Sequence, residues 1–172
     1  MERLPWHNSS YRRDLLVPYG SELPVMLDIE GILHADLRRK GYALYLEPKA
    51  RTHHLNISLV SSFIKEQFYG GRLFAASQVK HYRWSAGQRF ARIAGAPLVP
   101  WLRLRRTIRD MVRSGRGRMF PQIAPLLFLG LVVHASGELF GYALGTGDAL
   151  QQRLVLEFHR ERHVVLGEKA IR

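Results

Sequence analysis

The chain has 172 residues, a length typical of one domain or of one domain with an appendage. Its 47% hydrophobic content is enough for a folded core, which excludes a chain that is disordered throughout. It contains no cysteine, which excludes a disulfide framework, a cysteine nucleophile and every thiolate metal site. Residues 1–8 have no apolar run behind their charges, so we expect no secretory signal and a cytoplasmic location.

The net charge of +12 is concentrated in one segment. Residues 80–118 hold eleven of the 26 basic side chains and one acid, Asp110. Such a concentration predicts a polyanionic partner, either a phospholipid surface or nucleic acid. The alternative is a solvated basic face that binds nothing.

The predicted elements begin with a loop and short helix over 6–20 and an amphipathic helix over 21–40. That helix ends in three cations and Gly41, a common C-terminal pattern. Residues 42–46 then resemble a strand, and 50–57 a second extended segment. Together they predict a small α/β unit that ends near residue 60.

Helical patterns dominate the rest of the chain. Helical spacing extends over 61–80, interrupted by Gly70-Gly71, and returns over 86–94 and 100–112. Residues 123–144 are the most apolar stretch, and 148–172 form a mixed tail. We therefore predict two domains: an α/β segment over 1–60, and a helical, basic and amphipathic extension over 61–172 that associates with a membrane.

Six short elements, in order, resemble the later half of a family 2 glycosyltransferase. No single element is specific, but their order and spacing together are. The resemblance covers roughly residues 5–145 and is carried by Trp6-His7-Asn8-Ser9-Ser10-Tyr11-Arg12-Arg13, Glu30, Leu37-Arg38-Arg39-Lys40-Gly41-Tyr42, Leu46-Glu47-Pro48-Lys49-Ala50, His54, and a tail containing Gly71-Arg72, Trp84-Ser85 and Ala96-Pro97.

The resemblance implies the acceptor-side part of a GT-A domain, an α/β fold, followed by a bacterial C-terminal extension. It implies an enzyme that moves a sugar from a nucleotide-sugar donor to an acceptor hydroxyl in cell-surface polysaccharide or glycoconjugate synthesis. The donor-binding half of that family, which holds a divalent metal (Mg or Mn) through an Asp-x-Asp motif, has no counterpart here. We therefore expect this chain alone to be inactive and to bind no metal or other cofactor.

The resemblance also assigns roles to single residues. Glu30 falls at the position of the base that takes the acceptor's proton, and Asn8, Tyr11, Arg12, Arg13 and His54 fall at substrate-binding positions. The second acid of the family's pair is replaced by Ile29. The alternatives are that Glu30 is a surface or ion-pairing residue, that His54 is structural, and that the two arginines are solvated.

The helix predicted around 97–113 combines an apolar stripe with arginines, a pattern typical of helices that lie on anionic membranes. We expect a membrane-surface role for Trp84, Trp101, Arg103, Arg105, Arg106 and Arg109. Nucleic acid is the less favoured partner because the apolar stripe suits acyl chains better than bases. Residues 123–144 are long enough to span a bilayer, but the acid Glu138 favours a helix in the interface or in a protein core.

Overall fold

The computed structural model describes residues 9–28, 30–47, 49–50 and 56–165, without the side chains of Val25, Asp28 and Glu30. The chain divides into two compact units, Met1–His54 and Leu55–Arg172, so the division falls six residues before the predicted boundary.

The α/β prediction is wrong, because the described residues are predominantly helical and contain no strand. The predicted strand over 42–46 has no regular secondary structure. Part of the second one, residues 51–55, lies outside the described residues. A strand is stable only when its backbone pairs with another strand, and Tyr42 N–H instead donates to the Leu37 carbonyl to close a helix, at 3.0 Å.

The described part of the first unit contains three short helices, α1 (Arg13–Leu16), α2 (Leu23–Asp28) and α3 (Glu30–Arg39), with a 3-10 turn over Val17–Glu22. Met26, Ile32, Leu33 and Leu37 are buried there. The predicted end of the second helical segment is confirmed, since Gly41 has a φ of 87° and its N–H donates to the Arg38 carbonyl.

The second unit contains five helices among the described residues: α4 (Val60–Tyr82), α5 (Ala86–Gly95), α6 (Val99–Arg113), α7 (Phe120–Leu144) and α8 (Ala149–Phe158). Helix α7 is central. It packs along α4 on one side and against α5 and α6 on another, while α8 packs on α4. The helices predicted from the spacing of apolar residues are present here, and α4 continues through Gly70 without a break.

Glycines allow the backbones of α4 and α7 to touch. A Cβ atom added to Gly71 would overlap the His134 carbonyl, and one added to Gly137 would overlap the Phe68 carbonyl. Gly141 meets Arg72 in the same way. The contact of α4 with α7 therefore depends on residues without side chains, which is why Gly71 is part of the helix contact and not a break.

The start of α4 is capped by the chain's own C-terminal part. The N–H groups of Ser58 and Leu59 donate to the His163 carbonyl at 3.0 and 3.2 Å, and Val165 N–H donates to the Ser58 hydroxyl at 2.8 Å. The imidazole Nδ1 of His163 lies 2.9 Å from the hydroxyl of Ser62. The Leu59 bond satisfies one of the backbone donors that a helix leaves open at its N-terminus, and the other bonds hold residues 163–165 against the start of α4.

Candidate functional site

The residues that the resemblance assigns to catalysis and substrate are only partly within the described structure. Asn8 and His54 lie outside it, and so does the side chain of Glu30, whose backbone begins α3. Tyr11, Arg12 and Arg13 are described, and each can be placed.

Tyr11 lies next to a histidine that the sequence analysis did not single out as a site residue. Its hydroxyl is 2.8 Å from Nε2 of His34, and the two rings lie 5.9 Å apart. His34 is 5% exposed, on the buried face of α3. The sequence holds one sign that His34 is buried, because His34 falls on the same helical face as Leu33 and Leu37. Its hydroxyl partner, Tyr11, is 23 residues away and is brought to it only by the fold.

The two predicted phosphate-binding arginines differ in their surroundings. Arg12 donates from Nε and Nη2 to the carboxylate of Asp14, at 3.1 and 2.6 Å, which lowers the pKa of that carboxyl. Arg13 is exposed at the start of α1. A phosphate that approached Arg12 would have to compete with Asp14.

The first unit also has a carboxylate with three donors. Asp36 Oδ2 accepts a hydrogen bond from the Tyr19 hydroxyl at 2.5 Å and lies 2.8 Å from Lys40 Nζ, while Oδ1 accepts one from Arg39 at 2.6 Å. Lys40, Tyr19 and Arg39 together hold the pKa of Asp36 far below its usual range. Lys40 also stacks over the Tyr19 ring, 4.1 Å from its centroid. This cluster ties α3 to the turn before α2.

In the basic segment of the second unit, three arginines make internal contacts. Arg89 donates to the carbonyls of Tyr142 and Ala143 at the end of α7, at 2.8 and 2.9 Å. Arg92 stacks over the Trp84 ring, 4.6 Å from its centroid. The third, Arg103, binds a carboxylate of α7. These three attach α5 and α6 to the rest of the unit.

Arg103 reaches a glutamate in the middle of an apolar helix. Its Nη2 lies 2.5 Å from Oε1 of Glu138, and Nε2 of His134 lies 3.3 Å from the same oxygen. Glu138 is 2% exposed, whereas the Arg103 side chain is 34% exposed. Glu138, the acid that made a membrane-spanning helix unfavourable in the sequence analysis, is therefore paired with Arg103 within the protein.

The other predicted membrane-surface arginines, Arg105, Arg106 and Arg109, are exposed on α6. Arg106 lies 3.9 Å from Asp110 at the surface, a weak pair at such exposure. Arg113, Arg116 and Arg118 continue the exposed series. These side chains are accessible to an anionic partner.

Large apolar side chains are exposed beside these arginines. Trp101 is 61% exposed and packs one face on Phe128 of α7, at a centroid distance of 4.9 Å. Phe90, Leu98 and Leu102 are exposed on α5, α6 and the turn between them. Trp84 is half-buried, between Tyr82 at 5.6 Å and Tyr142 at 5.9 Å. Trp101 is therefore placed for contact with a partner, and Trp84 mainly joins α5 to α7.

Helix α7, extended by the preceding turn, is long and apolar enough to cross a membrane by length and composition, over Gly117–Leu144. Only 22% of its most apolar window is buried in the protein. Helix α7 therefore packs against α4, α5 and α6 and still leaves much of its apolar surface open. Within the described part of the chain, no three His, Asp or Glu side chains lie close enough to hold a metal ion.

Comparison with protein-family models, with curated proteins and with solved structures finds no match for this chain.

Proposed function

We propose that the Leu55–Arg172 unit attaches the protein to an anionic membrane surface, as a peripheral module on the cytoplasmic face. The observation that supports this most is the side-by-side exposure of Trp101, Leu102, Arg105 and Arg109 on α6. A helix that exposes large apolar side chains next to cations matches a surface in which acyl chains lie beneath phosphates.

The magnitudes are sufficient for measurable binding. Each arginine near an anionic bilayer contributes about 1 kcal/mol, and the effect decays within a Debye length of about 8–10 Å. Transfer of one large apolar side chain out of water adds about 1.5–3 kcal/mol. Several of the exposed arginines acting with Trp101 and Leu102 would hold the unit on a membrane without any other contact.

Vesicle co-sedimentation tests this proposal. The full chain should bind vesicles of phosphatidylcholine with phosphatidylglycerol and leave vesicles of phosphatidylcholine alone largely unbound. High salt should weaken the binding without abolishing it, because the apolar contact is not screened. Equal binding to both vesicle types, or none to either, would refute the proposal, and tight binding to DNA would favour nucleic acid as the partner.

A variant with Arg105, Arg106 and Arg109 changed to glutamate should detach from the vesicles. Arg103 is left in place, since its reversal would set a second acid against Glu138. The matched control changes Arg12, Arg13 and Lys49 to glutamate, which alters the net charge equally in the other unit. If the control detaches as readily as the α6 variant, net charge alone explains binding.

We also propose that the chain serves glycosyl transfer from a nucleotide-sugar to an acceptor hydroxyl. What supports this is the ordered set of sequence elements from Asn8 to His54, with Glu30 as the base. It does not rest on a GT-A fold. In this proposal a divalent metal is held by residues outside this chain.

Two measurements test the enzymatic proposal. Calorimetric titration of this chain with nucleotide-sugars should show no binding, and micromolar binding would contradict the expectation that the donor is held elsewhere. In an active enzyme that contains this sequence, Glu30→Gln should lower turnover by about 10²–10⁴. Retention of most of the turnover would exclude Glu30 as the base.

A further inference from the structure

One side of α7 is left largely open by the other described helices, and we call its residues Leu129, Val132, Ser136 and Phe140 the apolar flank. They recur at helical spacing and are all exposed, although the Phe140 ring also meets the Phe68 ring of α4, at a centroid distance of 5.5 Å. The other two sides of α7 are covered: Gly137 and Gly141 face α4, and Glu138 and Tyr142 face α5 and α6. The flank is therefore exposed because the other helices pack on the remaining sides of α7.

The flank has no unsatisfied polar side chain. The hydroxyl of Ser136 donates to the Val132 carbonyl of its own helix at 3.0 Å. The ionisable groups of α7 lie on its covered sides, where Glu138 meets Arg103 and His134. A lipid environment along the flank would therefore leave no polar side chain without a partner.

Trp101 connects the flank to the arginines of α6. It packs on Phe128, which lies one turn before Val132 on α7. Arg105 and Arg109 follow Trp101 at successive turns of α6 and are exposed. An aromatic ring between an apolar strip and a row of cations matches the boundary between acyl chains and headgroups.

The position of α6 decides how α7 can lie. Through the contacts of Trp101 with Phe128 and of Arg103 with Glu138, α6 is held against the middle of α7. If α7 crossed the bilayer in this arrangement, Arg103, whose side chain is 34% exposed beside Glu138, would enter the hydrocarbon, at about 2.5–3.5 kcal/mol. This arrangement favours α7 parallel to the membrane surface.

We propose that the apolar flank of α7 lies among the acyl chains of an anionic membrane, with the helix axis parallel to the surface and Arg105 and Arg109 at the lipid phosphates. This inference rests on the proposed membrane attachment and specifies the surface and its orientation. An in-plane helix of this kind is immersed about 5–10 Å.

The absence of cysteine makes the test direct. Single cysteines at Val132 and Phe140 carry an environment-sensitive fluorophore, with Lys65→Cys and Gln151→Cys as exposed control positions. The full chain is bound to phosphatidylcholine–phosphatidylglycerol vesicles with nitroxide-labelled lipids at shallow or deep positions. Both flank probes should shift to the blue and be quenched mainly by the shallow nitroxide, to a similar extent, while the control probes stay unchanged.

A spanning α7 would instead place Val132 near the deep nitroxide and give the two flank probes different depths, which would overturn the inference. If the chain binds vesicles but the flank probes keep the emission of a fluorophore in water, the inference about the flank is also wrong, while the proposed membrane attachment is still supported. Failure of the unlabelled chain to sediment would refute both.

A substitution gives an independent readout. Val132→Asp should weaken partitioning to the same vesicles roughly tenfold, whereas Gln151→Asp should have little effect. Circular dichroism of both variants verifies the helical content, which should be unchanged because Val132 and Gln151 are exposed. Equal partitioning of the two variants would contradict an immersed flank.

Discussion

At the scale of single residues, Glu138 and Arg103 differ in their access to water. Glu138 is 2% exposed, so its charge depends on Arg103 and His134. Arg103 is 34% exposed and can turn its guanidinium to solvent. Loss of Arg103 would therefore leave a buried charge without its partner, whereas loss of Glu138 would leave a charge that water can solvate.

This asymmetry predicts unequal costs of substitution. Arg103→Met keeps the apolar stem but strands a buried carboxylate, and should lower the free energy of unfolding by about 2–4 kcal/mol. Glu138→Leu leaves an arginine that reaches water and should cost about 1 kcal/mol or less. Chemical denaturation measures both. The double variant should recover most of the loss, and equal costs for the two single variants would contradict the assignment.

The glycines between α4 and α7 give a second prediction. Gly137→Ala should lower the free energy of unfolding by about 2 kcal/mol or more, because the new methyl group meets the Phe68 backbone and not a flexible side chain. The control is Gly87→Ala on α5, where an added Cβ meets nothing within 4 Å. That change should stabilise the protein by about 0.5–1 kcal/mol. Similar effects at the two positions would argue against close backbone contact.

At the scale of elements, α5 shows how a local signal fixes a helix. Ser85 accepts a hydrogen bond from Gln88 N–H at 3.4 Å, and the Gln88 side chain accepts one from Ser85 N–H at 2.9 Å. This capping box begins the helix that carries Phe90, Arg89 and Arg92. The spacing of apolar residues alone predicted a helix over 86–94, and the capping signal, which lies within four consecutive positions, marks the same start.

Ser85→Ala should therefore loosen α5 in particular. We expect a loss of about 0.5–2 kcal/mol and faster amide hydrogen exchange in Ala86–Gly95, with α4 little affected. Ser114→Ala is the control, since Ser114 donates only to the Met111 carbonyl at the exposed end of α6. Unchanged exchange in α5 would mean that packing on α7 alone holds this helix.

The wrongly predicted strand at 42–46 shows the opposite case. Its two tyrosines favour extended backbone, but that preference is realised only when another strand supplies hydrogen bonds. In the described structure Tyr42 and Tyr45 are exposed, and Tyr42 N–H closes α3 instead. Local propensity could not reveal that no described residue pairs with this segment as a strand.

At the scale of the whole molecule, the two compact units carry different electrostatics. The first unit contains paired charges, with Asp36 bound by Tyr19, Arg39 and Lys40. The second contains the exposed arginines of α6 and the buried pair at Glu138. Among the described residues, the excess positive charge is therefore concentrated on the second unit's helices.

Acid should destabilise the first unit through Asp36. Its pKa is lowered in the folded state, so its stabilising contribution is present above the unfolded value of about 4 and is lost as the pH falls below it. Hydrogen exchange of α3 should accelerate between neutral pH and about pH 3, after correction for the intrinsic rate. Asp36→Asn should remove most of this dependence. The control is Asp14→Asn, whose pair with Arg12 is exposed; an equal effect there would contradict the assignment to Asp36.

The sequence alone determined the helices of residues 61–144, the concentration of cations in 80–118 and the exposed apolar and arginine pattern of α6, because each follows from spacing within a few turns. Only the tertiary structure decided which arginines are available: Arg89 and Arg103 lie in the same basic run as Arg105, yet they bind backbone carbonyls and Glu138. The pairing of Tyr11 with His34 and the uncovered side of α7 likewise depend on contacts between residues distant in sequence, which no local pattern records.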